Sequence, residues 1–397
     1  MSKILDQKIE EVLSRGVEEI IPSKDGLKEL MKRKKIRLYL GVDPTSPKIH
    51  LGHIIPLKKL RQFQELGHEA ILLFGTFTAQ TGDPSGRDEE RRPLSIEQVK
   101  DNMETYKKQT SRFLGSSEIK IKYNGDWLSK LSFPELIKIA SNFTVSRLME
   151  RDMFQKRVRE KKEVWINEFL YPLMQGYDSV AMDVNLEVGG TDQTFNMLIG
   201  RKLQNIFNKK EKFVLTTPLL LGLDGRKMSK TYNNTINLTD PPNEIYGKTM
   251  SLADNLIIQY LELVTDFPME DIKKIKKELA AKKTNPRDVK AMLAREIVTI
   301  LYGENSSKEA EEDFNRVFRE KKAPSEIQEV KIKKIDINIL DLLVEAKLVF
   351  SKSEAKRLIL QKGIKIGGAV QEDWKKVVKI KRGMIMQVGK RKFAKLI

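Results

Sequence analysis

The chain has 397 residues, which is long for one domain and predicts two or three. It contains 40% hydrophobic residues and no Cys, so it can bury a core but can form neither a disulfide nor a thiolate zinc site. Its net charge is +18. No apolar stretch reaches the roughly 18 residues of a membrane helix, and the N-terminus lacks the apolar core of a signal peptide. We therefore expect a cytoplasmic protein that does not associate with membranes.

The first half of the chain alternates between strand and helix patterns. A helical pattern covers 51–66, and short β-rich runs occur at 36–43, 69–75, 119–123, 184–190 and 212–222. Strands separated by helices predict βαβ units around a parallel sheet, that is, a doubly wound, Rossmann-like α/β domain over 1–222. The charged stretch 133–164 has helical periodicity and is expected to be an insertion or an interface element.

The second half changes character twice. Amphipathic helical patterns with Pro and Gly breaks predict a small helical domain over 233–322. The charged, Pro-containing stretch 323–334 is predicted to be a linker. Helical patterns at 340–347 and 353–362 then lead into short strands, which predicts an α+β domain over 335–397.

Positive charge is concentrated in the C-terminal segment. Residues 331–397 contain 18 basic and 6 acidic residues, so they carry +12 of the net +18. A compact basic segment of this size is typical of a surface that binds a polyanion, most plausibly nucleic acid. A merely solvated, lysine-rich surface is the alternative.

The first chemical motif lies at the junction of the first predicted strand and helix. In the segment 39–53, YLGVDPTSPKIHLGH, His50 and His53 are three residues apart at a helix start, and Gly52 lies between them. In a doubly wound sheet this junction faces the crevice where the strand order reverses. The helix N-terminus favours phosphate, so the pair predicts phosphate contact. A metal site or two purely structural histidines remain alternatives, although only one other His is available to complete a metal site.

The second chemical motif is the loop 222–231, GLDGRKMSKT. It places Arg226, Lys227 and Lys230 within five positions, with the hydroxyl of Thr231 beside them. Cationic side chains on a flexible loop can stabilise negative charge that develops during phosphoryl transfer. A basic loop taken alone is more often a solvated surface.

Together these motifs resemble the signatures of class I aminoacyl-tRNA synthetases. HLGH at 50–53 resembles HIGH, and KMSKT at 227–231 resembles KMSKS. The runs TGDPSGR, EFLYPLMQGYD and GGTDQTFN between them are similar to the tyrosyl branch. The segment 335–368, IDINILDLLVEAKLVFSKSEAKRLILQKGIKIGG, looks like part of an S4 RNA-binding domain. Its opening, IDINILDLL, departs from the pattern. The resemblance is to the bacterial subgroup that carries this C-terminal domain.

The resemblance implies roles for individual residues. The tyrosine site would contain Tyr39 and Asp178 at the substrate phenol, with Asp83, Tyr171 and Gln175 at its ammonium group. The further polar residues of this pocket would be Asp43 and Gln193. The ATP site would contain Gly41, Thr45, Gly52, Gly190, Asp192 and Lys230, with Asp192 at the ribose. The catalytic set would be His50, His53, Lys227, Lys230 and Thr231, with Arg87 and Arg91 near the leaving pyrophosphate.

The resemblance also implies the reaction and the partners. The enzyme would activate tyrosine with ATP and then transfer it to the 3′ end of its tRNA. Mg²⁺ is expected with ATP and without a dedicated protein site. A homodimer through 133–164, a helical anticodon-binding-type domain over 233–322 and an S4-like domain over 335–397 are further expectations, and no DNA partner is expected.

Some residues depart from the family pattern, and other functions remain possible. Leu40 and Pro56 stand where some relatives carry polar residues, which affects the fine tuning of ATP affinity, and Gly222 leaves the loop with one cation fewer than in some relatives. A non-ligase nucleotidyltransferase, an inactive RNA-binding relative and a tryptophanyl enzyme are the alternatives. Tyrosine-dependent exchange of pyrophosphate into ATP would distinguish all of them.

Overall fold

The structure, a computed structural model, describes residues 3–85, 94–114, 119–318, 327–332, 335–389 and 392–397. Within these residues the chain forms two compact units, Met1–Asp240 with Lys248–Leu293, and Pro241–Gly247 with Ala294–Ile397. Among the described residues no helix is long and apolar enough to cross a bilayer.

The sheet of the first unit is built from six strands of the described residues. They are β1 (Glu19–Ile21), β2 (Arg37–Val42), β3 (Glu69–Phe74), β4 (Lys120–Tyr123), β5 (Leu186–Gly190) and β6 (Phe213–Thr217). Their order is β1-β6-β5-β2-β3-β4, with β1 antiparallel to β6 and the other neighbours parallel. The chain therefore builds outward from β2 on one side and then from β5 on the other. This reversal confirms the predicted doubly wound fold and places its crevice between β2 and β5.

The helices of the first half connect these strands. They are α1 (Lys3–Val12), α2 (Lys24–Arg33), α3 (Ile54–Glu65), α4 (Thr78–Thr81), α5 (Ile96–Leu114), α6 (Gly125–Leu128), α7 (Phe133–Ala140), α8 (Val145–Met149), α9 (Asp152–Arg159), α10 (Ile166–Met182) and α11 (Thr194–Asn208). The central strands are buried because helices cover them; in β3, residues 70–74 are all buried. A parallel sheet covered on both faces needs such continuous apolar strands.

The stretch 133–164 is divided among α7, α8 and α9. The first two of these helices begin at capping side chains. Ser132 accepts a hydrogen bond from the Glu135 backbone at the start of α7, and Thr144 accepts one from the Arg147 backbone at the start of α8. The helical periodicity of this stretch is therefore real, but two caps break it into short segments.

The described part of the second half contains five helices followed by the helices and strands of the C-terminal region. The helices are α12 (Pro242–Met250), α13 (Ile257–Val264), α14 (Met269–Ala280), α15 (Pro286–Tyr302) and α16 (Glu304–Phe318). The C-terminal elements are β7 (Gln328–Val330), β8 (Asp336–Asn338), α17 (Ile339–Glu345), α18 (Lys352–Leu360), β9 (Ile364–Ile366), β10 (Ala369–Val370), β11 (Val377–Lys379), β12 (Ile385–Val388) and β13 (Lys392–Leu396). The predicted helices and three predicted strands of this region are present, while β7, β8, β10 and β13 are additional.

The C-terminal strands form a small sheet of order β10-β9-β12-β13-β7 and a pair β11-β8. Leu342, Leu343 and Ile359 from its two helices are fully buried against these strands. β7 lies inside the stretch 323–334 that the sequence predicts to be a linker, yet it pairs in parallel with β13. The described part of that stretch is thus partly sheet.

The compact units do not coincide with the predicted domain boundaries. Residues 248–293, expected in a separate helical domain, belong to the same unit as the six-stranded sheet. Arg15 after α1 donates hydrogen bonds to the carbonyls of Thr265 and Phe267, and this joins the end of α13 to the N-terminal helix. The domain boundaries 1–222, 233–322 and 335–397 stay a prediction, because a compact unit can contain parts of more than one domain.

Candidate active site

A cavity of about 280 Å³ opens at the carboxyl ends of β2 and β5. This is the crevice in which doubly wound sheets bind ligands. Its lining includes many residues that the sequence predicts for the site, namely Tyr39, Gly41, Asp43, Thr45, His53, Asp83, Tyr171, Gln175, Asp178, Gly190 and Gln193. Positions spread over 155 residues of sequence therefore meet at one place.

The buried end of the cavity carries a phenol and a carboxylate. Tyr39 is fully buried, and its hydroxyl lies 3.0 Å from Ser179 Oγ. Asp178 is 2% exposed and accepts hydrogen bonds from Trp127 Nε1 at 2.8 Å and Asn124 Nδ2 at 3.2 Å. These two donors fix the carboxylate in one orientation.

Burial dominates the electrostatics at this end. It raises the pKa of Asp178 well above its usual value, although the N–H donors of Trp127 and Asn124 oppose the shift. Burial and the neighbouring carboxylates Glu187 and Asp178 also raise the pKa of Tyr39 well above its usual value. Tyr39 is therefore a neutral hydrogen-bonding group at physiological pH.

Polar side chains cross the middle of the cavity in connected pairs. Asp43 accepts from Tyr171 Oη at 2.8 Å and from Thr78 Oγ1 at 2.7 Å. Gln193 Nε2 donates to Asp83 Oδ2 at 2.7 Å. These carboxylates form the acidic wall that an ammonium group requires.

Gly75 explains how Asp43 fits beside the next strand. A Cβ at this position would lie 1.9 Å from Asp43 Oδ1, so the backbone after β3 can approach the carboxylate only without a side chain.

Of the two histidines, His53 lines the cavity and His50 lies against His53. His50 and His53 have ring centroids 4.1 Å apart with their planes at 62°. Burial, with the adjacent ring and the charges of Lys230 and Lys227, lowers the pKa of His50 to about 2. Burial also lowers the pKa of His53 to about 4. Both imidazoles are neutral near pH 7 and can each donate one N–H.

His50 also carries an unused polar atom. Its Nδ1 is buried and has no hydrogen-bond partner among the described residues. A buried polar atom of this kind is costly unless something else satisfies it.

The buried side chain of Asn234, which is 3% exposed, forms hydrogen bonds to the loop 222–231. Its Nδ2 donates to Asp224 Oδ1 at 2.6 Å and to the Lys227 carbonyl at 3.1 Å, and its Oδ1 accepts from the Ser229 backbone at 2.8 Å. A Cβ at Gly222 would lie 2.4 Å from this amide, so a side chain does not fit there. The departure at Gly222 thus has a packing reason.

An ion pair connects the loop to the nucleotide end of the predicted site. Lys227 Nζ lies 2.8 Å from Asp192 Oδ2, which follows β5. Arg226, in contrast, pairs with Asp224 and stacks on the Tyr232 ring at 4.2 Å. Arg226 therefore makes its contacts to residues in and next to the loop, unlike Lys227, which reaches Asp192.

Some predicted residues lie beside the cavity and some cannot be placed. The residues outside its described lining are His50, Gly52, Asp192, Lys227, Lys230 and Thr231. His50 packs against the lining residue His53, and Asp192, which precedes the lining residue Gln193 in the chain, pairs with Lys227. Arg87 and Arg91 lie outside the described residues.

The sequence interpretation missed several polar residues of the site. The most prominent are Glu187, which lines the cavity, and Lys212, with which it forms a buried ion pair. Asn124, Trp127, Thr78 and Ser179 are the other missed residues. Glu187 did carry a signal, since a carboxylate in the middle of the apolar run VNLEVGG is unusual for a buried strand.

The family comparisons agree with this geometry. Residues 31–319 match the family of class I tRNA synthetases for tryptophan and tyrosine (W and Y), and the chain belongs to that family. Residues 320–396 match the Tyrosine--tRNA ligase SYY-like C-terminal domain.

Curated relatives are similar over almost the whole chain. The Tyrosine--tRNA ligase of Thermotoga maritima is 46% identical over 386 residues, which are 97% of this chain and 96% of the relative. That of Moorella thermoacetica is 45% identical over 390 residues, 97% of this chain and 94% of the relative.

Solved structures share the fold. A C-terminally truncated mitochondrial tyrosyl-tRNA synthetase of Coccidioides posadasii has a TM-score of 0.64 at 26% identity, covering 78% of this chain and 91% of that one. The Archaeoglobus fulgidus enzyme complexed with L-tyrosine has a TM-score of 0.62 at 24% identity, covering 77% of this chain and 99% of that one.

Proposed function

We propose that this cavity binds tyrosine at its buried end and ATP at its histidine end, and that the chain works as a tyrosine–tRNA ligase. The enzyme is an ATP-using class I synthetase by family, and its relatives near 45% identity are tyrosine--tRNA ligases. The observation that carries the assignment of the cavity is the placement of Tyr39 and Asp178 together at its buried end.

Recognition of tyrosine would use both ends of the amino acid. The substrate phenol would bond with Tyr39 and Asp178, and its ammonium group would face Asp83, Tyr171 and Gln175. Phenylalanine lacks the hydroxyl, so it would leave the buried hydrogen-bonding groups unsatisfied, which is costly. Asp43 and Gln193 would support the ammonium side through the hydrogen bonds described above.

The activation step needs positioning and charge stabilisation more than proton transfer. The tyrosine carboxylate, already ionised near pH 7, would attack the α-phosphate of ATP, and pyrophosphate would leave. Neutral His50 and His53 would donate N–H groups to phosphate oxygens, and Lys230 would add positive charge. Lys227 and Thr231 would act from the same loop, with Arg87 and Arg91 near the leaving group.

The nucleotide would lie along the glycine-containing ends of β2 and β5. Gly41, Thr45, Gly52 and Gly190 would leave room for it, and Asp192 would accept hydrogen bonds from the ribose. Since Asp192 now pairs with Lys227, ribose binding would release this lysine toward the phosphates.

Mg²⁺ would arrive with ATP, where it neutralises phosphate charge. Asp43, Asp83 and Asp192 each accept a hydrogen bond or ion pair within the protein, and the histidine end carries cations and neutral donors. The cations and neutral donors suit phosphate oxygens rather than a metal ion. The phosphates of the nucleotide and water would therefore hold Mg²⁺.

The second step would use the basic C-terminal region. A hydroxyl of the terminal adenosine of tRNA(Tyr) would attack the tyrosyl carbonyl, and AMP would leave. An anticodon-binding-type role for 233–322 and an S4-like role for 335–397 would supply the tRNA contacts, in the cytoplasm where translation takes place.

A homodimer is supported by exposed apolar side chains on α7 to α10. In the segment 133–166 these are Phe133, Ile137, Val145, Val158, Trp165 and Ile166, each 51–78% exposed. Several exposed apolar side chains within one segment favour an interface there. Sedimentation should show a dimer for the native chain and a monomer for Phe133→Asp with Val145→Asp; a monomeric native chain would refute the proposed dimer.

Exchange of labelled pyrophosphate into ATP tests the function itself. We expect exchange that depends on tyrosine and is not supported by tryptophan or phenylalanine at the same concentration. Exchange supported by tryptophan would identify a tryptophanyl enzyme, and no exchange with any amino acid would contradict ligase activity.

A further inference from the structure

Lys212, just before β6, is a buried cation that the proposed chemistry does not use. Its side chain is 0% exposed. The ammonium group forms an ion pair with Glu187, donates to Ser179 Oγ at 2.7 Å and donates to the Met197 carbonyl at 3.2 Å. All three hydrogens of the ammonium group therefore have acceptors.

The two side-chain partners of Lys212 both contact groups of the proposed tyrosine site. Ser179 Oγ lies 3.0 Å from the hydroxyl of Tyr39, at the phenol end. Glu187 Oε1 accepts a hydrogen bond from Gln175 Nε2 at 3.1 Å, at the ammonium end. Lys212 is therefore linked through Ser179 to the group that would bind the substrate phenol, and through Glu187 to a group that would bind the substrate ammonium.

The surrounding backbone leaves space for this ammonium group. A Cβ at Gly200 in α11 would lie 2.5 Å from Lys212 Nζ and 2.8 Å from Ser179 Oγ. A methyl group at this position would overlap both atoms. The glycine therefore leaves the volume that the lysine and serine occupy.

A buried ion pair calls for a reason beyond stability. Replacing such a pair with apolar groups of similar size is often neutral or stabilising, whereas an unpaired buried charge is strongly unfavourable. Glu187 lies in a cavity wall that already contains the buried carboxylate of Asp178. Lys212 supplies the counter-charge that allows a second carboxylate there.

Resting on the proposed function, we infer that Lys212 is a positioning residue for tyrosine recognition, which acts by holding Glu187 and Ser179. Lys212 occupies one lone pair of Ser179 Oγ, which leaves the Ser179 hydroxyl one hydrogen and one further lone pair for its contact with the Tyr39 hydroxyl at 3.0 Å. Lys212 thereby fixes where Ser179 Oγ lies relative to Tyr39. On the other side, Gln175 Nε2 donates to Glu187 at 3.1 Å and Gln175 Oε1 accepts from Asn196 Nδ2 at 3.0 Å, so these two partners hold the side-chain amide of Gln175 in one orientation.

The test uses pyrophosphate exchange by the full-length chain with four variants. Lys212→Met removes the cation, Glu187→Gln with Lys212→Met removes both charges, and Gly200→Ala displaces the ammonium group. Lys59→Met is the matched control, since Lys59 is also buried but donates to the Val12 carbonyl outside the cavity. KM for tyrosine, KM for ATP and the preference for tyrosine over phenylalanine are measured for each.

We expect KM for tyrosine to rise at least tenfold in Lys212→Met and in the double variant, while KM for ATP stays within twofold. The preference for tyrosine over phenylalanine should fall at least tenfold, and Gly200→Ala should change both quantities in the same direction. Lys59→Met should leave both unchanged. If Lys212→Met does not fold, the double variant decides, because it leaves no unpaired charge.

The inference is overturned if the double variant keeps the native KM for tyrosine and the native preference. It is also overturned if both KM values rise together, or if Lys59→Met has the same effect, since either result means a general structural role. A native chain without tyrosine-dependent exchange would instead refute the proposed function, so the two failures are distinguishable.

Discussion

The cavity and the C-terminal region use charge in opposite ways. At the cavity, Glu187 and Lys212 are both almost fully buried and paired with each other. In the C-terminal region, the pairs Lys352–Asp341 and Lys362–Glu372 have largely exposed side chains, and residues 331–397 keep an excess of +12. A buried charge requires a fixed partner and so defines geometry, whereas exposed excess charge acts at a distance and is screened by salt.

The largest effect should follow removal of the loop cation. Lys230→Ala should lower the rate of adenylate formation about 10²–10³-fold, because its charge matters most in the transition state. The binding of tyrosine should be nearly unchanged. Single-turnover formation of tyrosyl-adenylate measures both.

Lys283→Ala provides the control, since this exposed lysine is not part of the cavity lining. Its adenylation rate should equal that of the native chain. An undiminished rate in Lys230→Ala would remove the loop from the mechanism.

Deletion of the C-terminal region tests the role of its exposed excess charge. The cut belongs after Phe318 rather than at 331, because β7 pairs with β13 and would lose its partner strand. We expect tyrosyl-adenylate formation near the native rate and an affinity for tRNA that falls about tenfold to a hundredfold.

The salt dependence gives the sharper measurement. Each lost phosphate contact should lower the slope of log affinity against log salt by roughly 0.7 to 0.9. Titrations of tRNA binding by the two proteins provide these slopes. Equal slopes and equal affinities would mean that the basic segment is only solvated surface.

Asp178→Asn should have a smaller effect, confined to the amino acid. Its amide would turn an N–H group toward one of the donors Trp127 and Asn124, which costs a hydrogen bond and misplaces the oxygen. We expect KM for tyrosine to rise about tenfold, with KM for ATP unchanged. Asp183→Asn, at the exposed end of the same helix, is the matched control.

Tyrosine affinity and discrimination against phenylalanine are measured together. If both survive in Asp178→Asn, the carboxylate does not contact the phenol, and the buried end of the cavity needs another assignment.

The comparison also explains what the sequence could predict. The alternation of strands and helices predicts the doubly wound sheet. The ordered motifs predict eleven of the 23 described residues that line the cavity, because parallel strands deliver their ends to one edge. The pairing of Glu187 with Lys212 joins a residue of β5 to the residue before β6, 25 positions apart, and no local pattern encodes it. The parallel pairing of β7 with β13 was missed for the same reason, since it joins the two ends of the C-terminal sheet.

The smallest effect concerns pH and tests whether the histidines are neutral donors. Burial lowers the pKa of His50 to about 2 and that of His53 to about 4. Neither imidazole should therefore titrate between pH 6 and 9, and their contribution to the rate of adenylation should vary less than twofold over that range. If the adenylation rate of the native chain changes near pH 6 and that of His53→Gln does not, His53 acts as a cation.

Stability gives an independent readout of the same burial. The unfolded chain binds a proton at His53 near pH 6.5, but the folded chain binds it only near pH 4. The stability linked to His53 is therefore fully present above about pH 6.5 and is lost as the pH falls toward 4. At pH 5 the loss should be about 2 kcal/mol relative to pH 8. Denaturant unfolding of the native chain and of His53→Gln at both pH values measures it, and an equal loss in the two proteins would show that the proton binds elsewhere.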